Sequence, residues 1–237
     1  MKRVLIIGSQ HGNELLGELL YAYIQGQPAH PNLQVSYILA NPRAHETGVR
    51  YVESDMNRSF KSGLTTYEAQ CAERLLAYAQ ARLFDLVIDA HTTTVNQPPC
   101  VITADIGGAR AEYMRASHIK HIVVMKHAFL RQSLIGNVPQ AVSVEVSDTQ
   151  LSEELFEALY QDLVAYAAGR ARHPDKEVFA VTELLKKSRL APAEVAALRN
   201  FTRSPQGFYS VLVGEAAYEQ HGDYLGFVAK TKQEVTV

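Results

Sequence analysis

Short apolar runs that close on polar loops, with helix-period segments between them, constrain this chain more than any other feature. Lys2 to Gly8 reads as a buried strand that stops at Gly8-Ser9, and Glu14 to Ile24 then sets Leu15, Leu16, Leu19, Leu20 and Tyr23 at helical spacing. Gln34 to Ala40 reads as the next strand, closed by Asn41-Pro42, and Tyr67 to Ala81 as a helix on Ala69, Ala72, Leu75, Leu76 and Ala79. Asp85 to Ala90 reads as a strand that ends at His91. Further strands are expected at Cys100 to Thr103, His121 to Met125 and Ala141 to Val146, and further helices at Gly108 to Ser117 and Leu151 to Ala168. Alternation of this kind predicts an α/β fold, a mostly parallel mixed sheet with helices on both faces.

His173-Pro174-Asp175 interrupts the last of these helices. Strands at Val178 to Leu185, Phe208 to Val213 and Tyr224 to Lys230, with a short helix at Pro192 to Leu198, make a small mixed α/β segment after it. The chain is thus expected to divide into a catalytic part, 1–173, and a C-terminal segment, 174–237, that caps the site. With 237 residues there is enough chain for one large core and an appendage.

The charged and imidazole side chains gather where the predicted strands end. His11 and Glu14 lie in the loop leaving the first strand, Ser9-Gln10-His11-Gly12-Asn13-Glu14, where ligands of open α/β sheets collect. Imidazole nitrogen and carboxylate oxygen both suit zinc, and a three-residue spacing at a helix start lets them converge. Taken alone, Glu14 could equally complement the helix dipole and His11 lie on the surface. His91, in Asp89-Ala90-His91-Thr92, stands at the carboxyl end of another strand, and parallel strands bring those ends to one edge. Two histidines and one glutamate leave a fourth position for water, as in catalytic zinc sites. Asp89 is a candidate partner for the outer nitrogen of a ligand histidine. Histidines 30, 45, 118, 121, 127, 173 and 221 show no such placement.

Between the zinc segments runs a long, irregular polar stretch, 43–63, with Arg43, Arg50, Asn57 and Arg58. Such stretches are often solvated surface, but beside a metal guanidinium groups bind carboxylates and stabilise oxyanions. Asp55 is expected to orient one of these arginines. Glu145, in the apolar run Val142-Ser143-Val144-Glu145-Val146, is the candidate general base, since a charge in such a strand costs several kcal/mol by desolvation unless it is paired or functional.

Composition excludes several classes. A formal charge of −2 offers no basic stripe for displacing counterions from nucleic acid. Two cysteines, Cys71 and Cys100, cannot build a disulfide framework, and Val4 to Ile7 is too short for a signal or membrane segment, so a cytoplasmic protein is expected. Oligomeric state stays open, a homo-oligomer included.

Taken together, these segments resemble the aspartoacylase and succinylglutamate desuccinylase family, a branch of the zinc carboxypeptidase-like fold. His11-Gly12-Asn13-Glu14 and Asp89-Ala90-His91 resemble its zinc segments, and Asn41-Pro42-Arg43-Ala44, Arg50-Tyr51 and Asp55-Met56-Asn57-Arg58 its arginine loop. Glu145-Val146 fits the catalytic glutamate segment, and Gly214-Glu215-Ala216-Ala217-Tyr218 the segment with a substrate-binding tyrosine. The resemblance implies one zinc ion on His11, Glu14 and His91, with Glu145 moving the proton and Arg50 stabilising the oxyanion. It also implies that Asn57, Arg58 and Tyr218 hold the carboxylate end of a small anionic N-acyl amino acid such as N-acetylaspartate. Desuccinylase-type or peptide-directed carboxypeptidase chemistry is the alternative. Aspartoacylases carry a further carboxylate-binding arginine shortly before the catalytic glutamate. The ungapped position here falls in Leu134-Ile135-Gly136, and Arg131 is the substitute if the loop is remodelled.

Overall fold

The computed structural model describes residues 1–215 and 222–237. Among the described residues nine strands form one sheet in the order β2-β1-β3-β6-β4-β5-β7-β9-β8. From the first edge these are β2 (Leu33–Leu39), β1 (Lys2–Gly8), β3 (Leu86–Thr93), β6 (Ala141–Ser147), β4 (Cys100–Thr103), β5 (His121–Val124), β7 (Asp175–Lys186), β9 (Tyr224–Thr236) and β8 (Tyr209–Val211). β2, β1, β3 and β6 run parallel, as do β4, β5 and β7; β4 is antiparallel to β6, and β9 to both β7 and β8.

Both faces of the sheet are apolar, so its inner strands read as continuous hydrophobic runs. Along β1, Leu5 and Ile7 enter one core and Val4 and Ile6 the other. The first core is closed by α3 (Tyr67–Ala81) through Cys71, Ala72, Leu75, Leu76 and Ala79. α1 (Leu16–Gln25), α4 (Gly108–Ala116) and α6 (Glu153–Ala167) close the second through Leu20, Met114 and Leu163. Thr66 caps α3, its hydroxyl accepting from Ala69 N, and Ser152 caps α6 through Leu155 N. The expected mostly parallel sheet with helices on both faces is therefore the fold observed.

Two expectations need correction. The stretch 43–63 is not irregular throughout: Pro42–Thr47 is a helix, α2, capped by the Asn41 side chain on Ala44 N, and Met56–Arg58 is a 3-10 turn capped by Asp55. Short polar helices without an apolar stripe leave no periodic signal. β3 also continues through His91 to Thr93 instead of stopping before it. The boundary expected near Pro174 falls just before β7, whose pairing with β5 carries the sheet onward. Beyond β7, a small core of Leu185, Leu225 and Val228 packs against Val195 and Leu198 in and after the short helix α7 (Pro192–Ala197). A four-residue helix, α5 (His127–Leu130), had not been expected. Among the described residues no helix is long and apolar enough to cross a membrane.

Candidate metal centre and substrate cavity

The loop after β1 is shaped by backbone crowding. A Cβ on Gly12 would lie 2.1 Å from the carbonyl carbon of Ala44 in α2, and one on Gly17 would lie 2.6 Å from Gly8 Cα. Glycine at these two positions lets α2 and the start of α1 close on the end of β1, which turns His11 and Glu14 inward. Both are buried.

Glu14 is the centre of the cluster. Its Oε1 lies 2.7 Å from His11 Nδ1 and its Oε2 lies 2.7 Å from His91 Nδ1, while Thr92 N donates to Oε2 at 3.3 Å. One donor atom from each of His11, Glu14 and His91 falls within 4.8 Å of the other two. The outer nitrogens face carboxylates: His11 Nε2 is 3.1 Å from Asp55 Oδ1, and His91 Nε2 is 2.9 Å from Asp89 Oδ2, at ion-pair distance but off the line of a hydrogen bond. Ser143 Oγ donates to the same Asp89 oxygen. Two imidazoles presenting Nδ1 inward beside one carboxylate, with carboxylates behind both rings, form a donor set that suits zinc.

The charges follow from this geometry. Burial would raise the Glu14 carboxyl, but His11 and His91 outweigh it and hold Glu14 well below the usual carboxylate range. Burial would lower both imidazoles, yet the adjoining carboxylates raise them, Glu14 and Asp55 acting on His11 and Asp89 and Glu14 on His91. Asp55 is likewise lowered: burial opposes this, and His11, Arg50 and Arg58 prevail.

Arg50 reaches this cluster from the polar stretch, NH1 donating to Glu14 Oε1 at 3.2 Å and NH2 lying 3.6 Å from Asp55 Oδ2. Asp55 thus orients an arginine, as expected, and also braces a histidine. Arg43 goes elsewhere, stacking on Tyr67 at 4.6 Å. A residue the sequence reading passed over organises the whole stretch: Glu68, fully buried, accepts from the backbone N–H groups of Val52, Glu53 and Ser54. Its place in the first turn of an amphipathic helix reads as an ordinary dipole-complementing glutamate. A buried carboxylate on three amides is a tertiary feature.

Glu145 stands directly across the parallel ladder from His91, so the two side chains leave the same face. Burial pushes its carboxyl up to about 7, with Glu14 and Glu215 adding to the rise and His91 opposing it. Glu145 shares a small cavity with His11, Glu14, Arg50, His91 and Glu215. Glu215 is tied down by Thr93 Oγ1 and by Thr94 N at 3.2 Å. A larger cavity of about 390 Å³ adjoins, lined by His11, Arg50, Asp55, Asn57, Arg58 and Glu145 among others.

Eight of the nine expected site residues can be placed, and seven share these two cavities: His11, Glu14, Arg50, Asn57, Arg58, His91 and Glu145. Arg131 does not join them: it is exposed at the end of α5 and lines neither cavity. The turn after it is already committed, with Asn137 Nδ2 donating to Arg131 O and Gly136 so close to Leu130 O that a Cβ there would lie 2.0 Å away. Tyr218 lies outside the described residues.

Comparison with known proteins agrees with this geometry. Residues 1–158 match the family model of the succinylglutamate desuccinylase/aspartoacylase catalytic domain. A probable aspartoacylase from Nostoc sp. is 36% identical over 114 residues, 43% of this chain and 39% of that protein. A human N-acyl-aromatic-L-amino acid amidohydrolase (carboxylate-forming) is 33% identical over 117 residues, 43% of this chain and 37% of that protein. The matched segments thus span about two fifths of these curated relatives. In overall shape, the crystal structure of murine aminoacylase 3 superposes with a TM-score of 0.71 at 21% identity, over 99% of this chain and 97% of that one. A succinylglutamate desuccinylase from Chromobacterium violaceum gives 0.68 at 18% identity, over 100% and 85%. With more than half of its length matched by the family model and a histidine-glutamate-histidine cluster at the strand ends, the chain belongs to the succinylglutamate desuccinylase/aspartoacylase family.

Proposed function

We propose that this chain is a zinc-dependent amidohydrolase that cleaves the acyl–nitrogen bond of a small anionic N-acyl amino acid. The observation that carries the reading is the meeting of His11, Glu14 and His91 in one buried cluster, with Glu145 opposite His91 on the neighbouring strand. When bound there, zinc would lower the pKa of water and polarise a carbonyl.

The protein's own groups supply the rest. Glu145, with its pKa near neutrality, takes a proton from the attacking water and delivers it to the departing amine nitrogen. One C–N bond breaks, one C–O bond forms, and the products are a carboxylate and an amine. Arg50 faces the same cavity as Glu145 and stabilises the negative oxygen that develops on the acyl carbon. Asn57 and Arg58 bind the substrate carboxylate, and Tyr218 is proposed to join them. The C-terminal residues, 174–237, are proposed to cap the site, since Leu212 and Glu215 line the smaller cavity. N-acetylaspartate is the acidic substrate that the family resemblance favours.

Chelator-stripped protein, reloaded with zinc and offered N-acetyl amino acids, tests this by release of free amine. Activity should disappear on stripping and return with zinc, and Glu145→Gln should keep zinc without turnover. Zinc-loaded protein that released no amine from any acyl amino acid, yet cleaved a peptide with a free C-terminus, would favour the carboxypeptidase alternative.

A further inference from the structure

The larger cavity is polar only in part. Arg50, Asp55, Asn57 and Arg58 all come from the stretch between β2 and α3, whereas much of the remaining lining is Ile102, Met125, Phe129, Leu130, Ile135 and Phe227. Phe129 meets Phe227 edge-on at 5.8 Å, and Tyr224 meets Phe227 the same way at 5.7 Å, giving an aromatic wall. Ile135, in the turn before β6, adds an apolar, buried side chain to the same wall.

We infer that this apolar recess receives the side chain of the substrate, and that the chain acts on N-acyl amino acids with bulky apolar or aromatic side chains in preference to N-acyl aspartate or glutamate. The inference rests on the hydrolysis proposed above, and it sets an apolar substrate in place of the N-acetylaspartate that family resemblance alone favours.

Charge accounting supports it. Among the described lining residues the arginines are Arg50 and Arg58; Arg50 already faces Glu14 and Asp55, which leaves Arg58 with Asn57 for the substrate's α-carboxylate. A second carboxylate placed against the isoleucines and phenylalanines would be desolvated without a cation, which burial penalises heavily. Both serines in the lining have committed their hydroxyl protons, Ser133 to Leu130 O and Ser143 to Asp89. The recess is also preformed. Buried Arg110 donates to the carbonyls of Ile135 and Val138, and Asn137 Nδ2 donates to Arg131 O, so the turn that shapes the wall is pinned from behind. An apolar group therefore enters without first ordering the loop.

The test compares kcat/KM of zinc-loaded protein on N-acetyl-L-phenylalanine, -leucine and -methionine with that on N-acetyl-L-aspartate and -glutamate. A preference of about tenfold to a hundredfold for the apolar set is expected; equal or reversed preference overturns the inference and leaves hydrolysis standing. If no substrate is turned over, hydrolysis fails, and binding decides the recess: N-acetylphenylalanine should raise the melting temperature of the metal-free chain and N-acetylaspartate should not, and the reverse or no difference would overturn it. Ile135→Arg should shift selectivity toward aspartate. Because that variant introduces a buried charge, Phe129→Ala at a half-buried position provides the second check. It should lower kcat/KM on N-acetylphenylalanine about tenfold while nearly sparing N-acetylalanine, and an equal loss on both would count against a side-chain recess.

Discussion

Asp55 Oδ1 lies 3.1 Å from His11 Nε2, so the polar stretch between β2 and α3 braces the imidazole proposed to hold zinc as well as presenting arginines. A carboxylate behind a ligand histidine fixes its ring and tautomer. Asp55→Ala should therefore weaken zinc binding by about 10- to 100-fold, measured by competition with a chromophoric chelator. Unchanged affinity would mean that the Glu14 contact alone orients the His11 ring.

Glu145 gives a pH dependence with a defined sign. Its carboxyl sits at about 7 in the folded metal-free protein against 4.5 in the ordinary range, so between these values the folded state holds a proton that the unfolded state has released. Stability from this group is present in full below about 4.5 and is lost as pH rises toward and through 7. Glu145→Gln should remove that decline, gaining up to about 3 kcal/mol relative to the parent between pH 4.5 and pH 8. Urea unfolding of both metal-free proteins at the two pH values measures it, and parallel profiles would contradict the assignment.

Glu68 makes the site depend on a helix remote from it in sequence. With three backbone amides on one buried carboxylate, Glu68→Ala should destabilise the fold by about 3 kcal/mol or more and lower turnover by loosening the segment that carries Arg50, Asp55 and Asn57. Denaturant midpoints together with kcat/KM test both halves. A stable variant with full activity would show that water replaces the carboxylate.

Gly12→Ala asks for space that is filled, since the added methyl would sit 2.1 Å from Ala44 C and 2.3 Å from His45 N. Backbone on both sides must shift, at a cost of about 1–3 kcal/mol. His11 should move with its loop, so a lower melting temperature and poorer zinc retention are expected together. Loss of stability without loss of zinc would separate the crowding from the site.

Much of this protein is legible in one dimension. The strand and helix order follows from apolar period alone, because β1, β3 and β6 are buried on both faces and α3 and α6 carry one apolar stripe each. Parallel strands must end at a common edge, so His11, Glu14 and His91 can be expected near one another from the sequence, and Glu145 stands out as a charge within an apolar run. The short helix α2 and the 3-10 turn at Met56–Arg58 were not legible, because they are fixed by side-chain caps and not by a core face.

Contacts between distant segments were decided only in three dimensions. Nothing in the order of residues says that Glu68 gathers the amides of Val52, Glu53 and Ser54, that Asp55 stands behind His11, or that Arg131 is exposed and lines neither cavity while Ile135 lines the larger one. Period and spacing record which face of an element is buried. Which polar atom meets which, and whether a recess is charged or greasy, depends on how those elements pack, and packing is a property of the whole chain.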